Sequence, residues 1–343
     1  SMADTYKIAI VGAASLRGKE LNEALGDSAF GASDFVLMDD ESSLGQLEAV
    51  GDEVTFIQRI ESDAFNNIDF VFFAGAEDVT RKHWLKAQRA GASIIDMSYA
   101  LESEPGVLVR APWVQESKTA PDLKTTAVSS AHPAAVVLAL VLKRVQTVAN
   151  VVSASATIME PASEYGRTAL DELHQQTVGL LSFQPLPKDL YDTQVAFNVV
   201  SGLGESAKIS LIASEARIRR HYEQLAEGRL PEAMIQLLHV PVFHGYGLSL
   251  AVTLDEPVSL DHIETSLSGD HMDVIVSGSE APSNLSSAGQ SDVLARVRTA
   301  DGTELATNKF WIWIVADNLK LAALNALACA EELRRLRPQG KVQ

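Results

Sequence analysis

KIAIVGAASLRG, residues 7–18, sets a β-branched apolar run against a glycine and then a helical pattern that continues to about Leu25. This is a strand, a tight turn and a helix, the opening unit of a dinucleotide-binding domain. A glycine at such a turn lets the backbone approach a pyrophosphate closely, and the helix N-terminus that follows points N–H groups at it. Gly12, Ser15, Leu16, Arg17 and Gly18 are therefore candidate cofactor contacts. The alternative is that the loop only makes the turn.

Outward from this unit, FVLMD (35–39), FVFFAG (70–75) and SIIDMS (93–98) read as further strands, and residues 78–90 as a helix. Strands alternating with helices predict an α/β fold with a doubly wound parallel sheet. Gly75 ends one of these strands and joins the candidate cofactor residues. Asp39 and Asp40 close another, about 20 residues past the loop, where a carboxylate accepts hydrogen bonds from the adenine-side ribose. Two carboxylates there would repel a 2′-phosphate, so NAD is expected in preference to NADP. As turn residues, the same aspartates need no ligand.

The chain has 343 residues, 46% of them hydrophobic, which is more than one ordinary core fills. Two domains follow as the expectation. From 151 to about 315, VVSASATI, VPVFHGYGLSLAVTL, DVLARVRT and FWIWIVA read as strands, with helices near 167–181 and 206–226 and an exposed loop at 278–292. The expected organisation is a dinucleotide-binding domain over 1–130 and an α+β substrate or dimerisation domain over 131–316, carrying a mixed or antiparallel sheet. A C-terminal helix within 317–343 is expected to pack back on the first domain.

A net charge of −17 argues against nucleic acid, whose phosphates need many Lys and Arg contacts. No apolar run reaches the roughly 18–20 residues that span a bilayer, and no secretory leader precedes the first strand, so a soluble cytoplasmic protein is expected. Ser1 before Met2 reads as a cloning remnant. The single cysteine, Cys329 in LKLAALNALACAEEL, forms no intrachain disulfide and no thiolate metal site, and the eight histidines show no ligand spacing. Its helical apolar setting predicts a structural, inert thiol.

The order of segments, from IAIVGAASLRG to WIWIVADNLKLAALNALACAEEL, resembles the aspartate-semialdehyde dehydrogenase family over nearly the whole chain. In that family a cysteine attacks the aldehyde, the adduct passes a hydride to the nicotinamide, and phosphate or water resolves the thioester. The resemblance puts the family's Pro-Asn-Cys-Ser-Thr segment on AVSSAHPAAVVLAL, residues 127–140, with Ala131 or His132 at the cysteine position. Neither side chain is a thiol. Ser129 or Ser130, with His132 as base, is the alternative nucleophile; the other reading is a capped buried helix.

The resemblance implies further site positions. The family's histidine follows a Val-Pro-Val-Phe-x-Gly element, and here Tyr246 stands in its place, with His244 on the same face if the segment is a strand. Gln176 in HQQT matches a site glutamine that could orient a carbonyl; otherwise it is a solvent-facing helix residue. Glu102 in SYALESEP occupies the position of a phosphate-clamping arginine, and Glu215 and Arg217 in SEARIRRHYEQL resemble substrate contacts, or else form routine helix-surface pairs. The middle segment TQVAFNVV and Ser15 for the family's central loop glycine complete the match, the serine implying weakened cofactor binding.

Together these positions predict a semialdehyde dehydrogenase-like protein, catalytically degenerate, that retains binding of NAD or of a small acidic aldehyde or carbonyl ligand, and the resemblance implies a homodimer formed through the middle domain. A rival reading is an NAD-dependent oxidoreductase in which hydride passes directly to or from a carbonyl and Tyr246, His244 or His132 moves the proton. A third is a partner subunit without a ligand.

Overall fold

The computed structural model describes residues 5–39, 47–50 and 53–337. Asp40 and the Ser1–Met2 start lie outside the described residues. Contacts divide the chain into two units, residues 1–131 with 322–343, and residues 132–321.

The first unit is built on an eight-stranded sheet. Its strands are β1 (Lys7–Val11), β2 (Asp34–Asp39), β3 (Leu47–Val50), β4 (Glu53–Arg59), β5 (Phe70–Phe73), β6 (Ser93–Asp96), β7 (Leu108–Arg110) and β8 (Ala127–Ser130). They run in the order β3-β4-β2-β1-β5-β6-β8-β7, all parallel except β3, which pairs antiparallel with β4 at the edge. Helices α1 (Leu16–Gly26) and α2 (Glu77–Arg89) form its crossovers. A parallel sheet covered on both sides needs apolar residues at every strand position. β1 and β5 supply them: Ile8, Ile10, Phe70 and Phe72 enter one core, and Ala9, Val11, Val71 and Phe73 the other. The first core is completed by Ala322, Ala323, Ala326, Ala330 and Leu333, which recur at helical intervals on the terminal helix.

The second unit holds α3 (Pro133–Val145), β9 (Val151–Glu160), α4 (Arg167–Leu181), α5 (Leu211–Ala226), β10 (Met234–His239), β11 (Tyr246–Val258), α6 (Leu260–Leu267), β12 (Met272–Val274), α7 (Asn284–Ser287), β13 (Val293–Thr299) and β14 (Thr307–Ala316). The terminal helix α8 (Asn318–Arg334) begins in this unit. Its sheet runs β10-β9-β11-β14-β13-β12, antiparallel in the centre and parallel at both edges. One face is buried through Ala156, Ile158, Leu248, Leu250, Ile312 and Ile314, while Ser155, Ala251, Trp311 and Arg298 form a register row on the more open face. This inside-outside alternation is what a sheet packed on one side requires.

Two expected spans are shorter in the structure. The helix expected from 206 starts at Leu211, because Ser210 caps it by accepting from the Ala213 N–H. The strand expected from Val240 starts at Tyr246, because Gly245 takes a left-handed φ of 96° that breaks extended backbone.

Candidate functional site

In the first unit the turn after β1 is closed by glycine packing. A Cβ on Gly12 would lie 2.4 Å from the Gly75 nitrogen, and one on Gly18 would lie 2.2 Å from the Gly12 carbonyl oxygen. Ser15 caps α1 and turns its side chain inward, its hydroxyl 2.7 Å from the Gly12 carbonyl and 2.9 Å from the Ala74 carbonyl while accepting from the Gly18 N–H. The serine thus fastens the turn to the end of β5. Asp39 accepts the Ala14 N–H at 2.9 Å, which holds its carboxylate at the C-terminal end of β2 beside the loop. Arg17 donates to the Met97 carbonyl and lies over the Tyr99 ring. Close backbone packing, a helix N-terminus beginning at Leu16 and a carboxylate at the second strand end could hold the phosphates and ribose of a nicotinamide dinucleotide.

The second unit gathers its chemistry at one end of its sheet. The ends of β9, β10 and β14 and the start of β11 lie together there, because β11 runs antiparallel to both β9 and β14 while β10 runs parallel to β9. Asn318, opening α8 just past β14, accepts the Gly245 N–H and donates to Ser163 Oγ and Glu164 Oε1, each at 2.9 Å. The other oxygen of Glu164 faces His132 Nε2 at 3.7 Å. His132 is the N-cap of α3: its Nδ1 accepts the Ala134 N–H, and its own backbone N–H donates to His221 Nδ1. An imidazole that accepts at Nδ1 carries its proton on Nε2, here the side turned to Glu164. The buried Tyr246 ring lies 6.1 Å from that imidazole.

A second carboxylate–imidazole pair lies at the same sheet end. Glu160 and His239 are register partners on parallel strands, with His239 Nδ1 3.0 Å from Glu160 Oε1. Burial raises the Glu160 carboxyl above its ordinary range, opposed by the hydrogen bonds from His239 and Tyr165. Two buried pairs of this kind can hold and move protons within a desolvated space.

The other expected site residues are placed differently. Ala131 presents a buried methyl group, and its N–H bonds the Arg110 carbonyl. The Ser130 hydroxyl accepts from Asn325, whereas the buried Ser129 hydroxyl has no hydrogen-bond partner among the described residues. His244 and Tyr246 do not share a strand face: His244 is exposed on the turn and Tyr246 is buried, the left-handed Gly245 separating them. Gln176 is neither solvent-facing nor open to a carbonyl. It is fully buried and donates to the Pro187 and Thr193 carbonyls while accepting the Val195 and Ala196 N–H groups, which uses its amide completely. Glu215 accepts the Leu237 N–H and so ties α5 to β10, with Arg217 half-buried along the same helix. Glu102 is half-buried beyond the left-handed Tyr99.

Cys329 is 1% exposed in the first unit's core, with Sγ 3.6 Å from the Arg110 carbonyl. Burial, reinforced by Glu332, pushes its thiol far above the ordinary value, which disfavours the thiolate. Sequence reading did not single out Glu160, Glu164, His221, His239 or Asn318. Only Asn318 carries a local signal, an asparagine between an apolar strand and a helical repeat.

A semialdehyde dehydrogenase NAD-binding domain matches residues 7–180, and a semialdehyde dehydrogenase dimerisation domain matches residues 142–321. A USG-1 protein homolog of Pseudomonas aeruginosa is 31% identical, over 97% of this chain and 98% of its own length. An aspartate-semialdehyde dehydrogenase of Rickettsia bellii is 25% identical over 97% of this chain and 98% of its own. The solved structure of a probable aspartate-semialdehyde dehydrogenase from Pseudomonas aeruginosa superposes with a TM-score of 0.87 at 28% identity, covering 96% of this chain and 99% of that one. Aspartate semialdehyde dehydrogenase II from Vibrio cholerae, complexed with ASA, shares the fold with a TM-score of 0.83 at 21% identity, covering 96% and 98% of the two chains. With both family domains matched in order and relatives aligned over almost its full length, the chain belongs to the semialdehyde dehydrogenase family.

Proposed function

We propose that this chain is a catalytically degenerate member of the family, which binds NAD and a small acidic carbonyl compound without oxidising it through a thiol. The observation that carries this reading is the burial of Cys329, the only cysteine, in α8, where the loss of solvent pushes its thiol up. A thiohemiacetal route needs an accessible thiolate, and Ala131 and His132 offer none. NAD, when bound, would accept or supply a hydride. Gly12, Ser15, Leu16, Arg17, Gly18 and Gly75 would hold its phosphates, and Asp39 its adenine-side ribose, favouring NAD over NADP.

The second reading, direct hydride exchange between NAD and a carbonyl, draws support from the His132–Glu164–Asn318 arrangement beside Tyr246. An imidazole oriented by a carboxylate is the usual partner of proton movement. Assembly is proposed as a homodimer through the open face of the six-stranded sheet, where Trp311 is 37% exposed beneath Arg298. The family's dimerisation domain covers that sheet.

The test is NADH formation from aspartate semialdehyde, with and without phosphate, in the wild-type and Cys329→Ala proteins. Background rates in both are expected. Thiol-dependent turnover, present in the wild type and lost in Cys329→Ala, overturns the reading. NADH consumption on the same aldehyde, as its carbonyl is reduced to an alcohol, that persists in Cys329→Ala and disappears in Tyr246→Phe establishes the second reading instead.

A further inference from the structure

The Glu160–His239 pair has neighbours that neither reading uses. Tyr165 Oη donates to Glu160 Oε1 at 2.7 Å and lies 3.0 Å from Ser214 Oγ. The Tyr191 ring packs on the same imidazole as that pair, 4.9 Å between centroids. Tyr191 reaches it because α4 clamps the segment that carries it. Glu172 accepts the Leu190 and Tyr191 N–H groups, and Gln176 fastens the same segment at Pro187, Thr193, Val195 and Ala196.

Two polar atoms are left over. His239 Nε2 and Tyr191 Oη make no hydrogen bond among the described residues, although His239 is 1% and Tyr191 0% exposed. Buried groups of this kind lose their hydration and gain nothing in return unless something fills the place. Burial, with Glu160 and Glu172 nearby, pushes the Tyr191 phenol far up, so it remains an O–H donor. The imidazole presents a lone pair at Nε2 if Glu160 is ionised and an N–H if the shared proton sits on Glu160. One molecule serves both cases: water accepts from the phenol and either donates to or accepts from the ring.

We propose that His239 Nε2 and Tyr191 Oη form a buried site for a single hydroxylic ligand, an ordered water. The water completes one hydrogen-bonded chain through Ser214, Tyr165, Glu160, His239 and Tyr191.

The experiment is Tyr191→Phe in the full chain, read by melting temperature and by the ¹⁵N resonance of His239 Nε2. With the water in place, the phenylalanine removes one of its anchors. Melting then falls by about 2–4 °C and the Nε2 resonance moves. An unchanged resonance with an equal or higher melting temperature overturns the proposal, because deleting an unsatisfied hydroxyl relieves its desolvation. If the variant fails to fold, an atomic-resolution crystal structure of the wild type decides. Density within hydrogen-bond distance of both atoms supports the site, and a dry gap overturns it.

Discussion

In the first unit, Arg110 grips Glu332 with two hydrogen bonds, at 3.1 and 2.7 Å, and reaches Thr119 with a third nitrogen, while Arg337 bonds Asp69 and Ser93. In the second unit, two buried carboxylates are paired with imidazoles, Glu164 with His132 and Glu160 with His239. A guanidinium never gives up its proton at ordinary pH, so the first set can only hold α8 and its approach to the sheet in place. An imidazole and a carboxylate exchange protons readily, so the second set can take part in chemistry. The thiol belongs with the first set by position, which is why it reads as structure.

The sharpest way to break this contrast is to remove one partner of the arginine pair. Glu332→Ala leaves the Arg110 charge buried and should lower unfolding free energy by about 3–5 kcal/mol, measured by urea titration; a loss under 1 kcal/mol would mean that the pair does not anchor α8. In the second unit, Asn318→Ala unties Gly245, Ser163 and Glu164 at once. Its expected cost is about 1–3 kcal/mol, with an altered environment for Tyr246 in near-ultraviolet circular dichroism. An unperturbed signal would show that Asn318 does not organise the sheet end.

A smaller effect concerns pH. Asp96 is buried, and burial raises its carboxyl above the ordinary 3.8 despite donors from Ser98 and Leu101. A raised folded-state value stabilises the fold below the unfolded value and loses that contribution as pH rises through the folded one. Wild-type stability should therefore carry a downward slope above about pH 4 that Asp96→Asn flattens. An identical slope in both proteins would place the titrating group elsewhere, Glu160 being the next candidate.

Much of the fold was legible in the sequence. Buried parallel strands leave continuous apolar runs, so KIAIVG and FVFF read as strands, and the structure sends their alternate residues into two cores. The sheet end was not legible. Glu160 and His239 meet across parallel strands 79 residues apart, and Asn318 meets Ser163 across 155. No local pattern encodes such meetings; strand order does. Gln176 misled for a related reason, since a polar residue on an amphipathic helix looks the same whether it faces water or clamps a buried segment. His244 misled because one left-handed glycine reverses the side on which its neighbours fall.

The most direct test of the account is calorimetric titration of the protein with NAD and, separately, with NADP. Micromolar NAD binding with clearly weaker NADP binding is expected from the carboxylate of Asp39 beside the loop. No heat with either cofactor, or a preference for NADP, would contradict it.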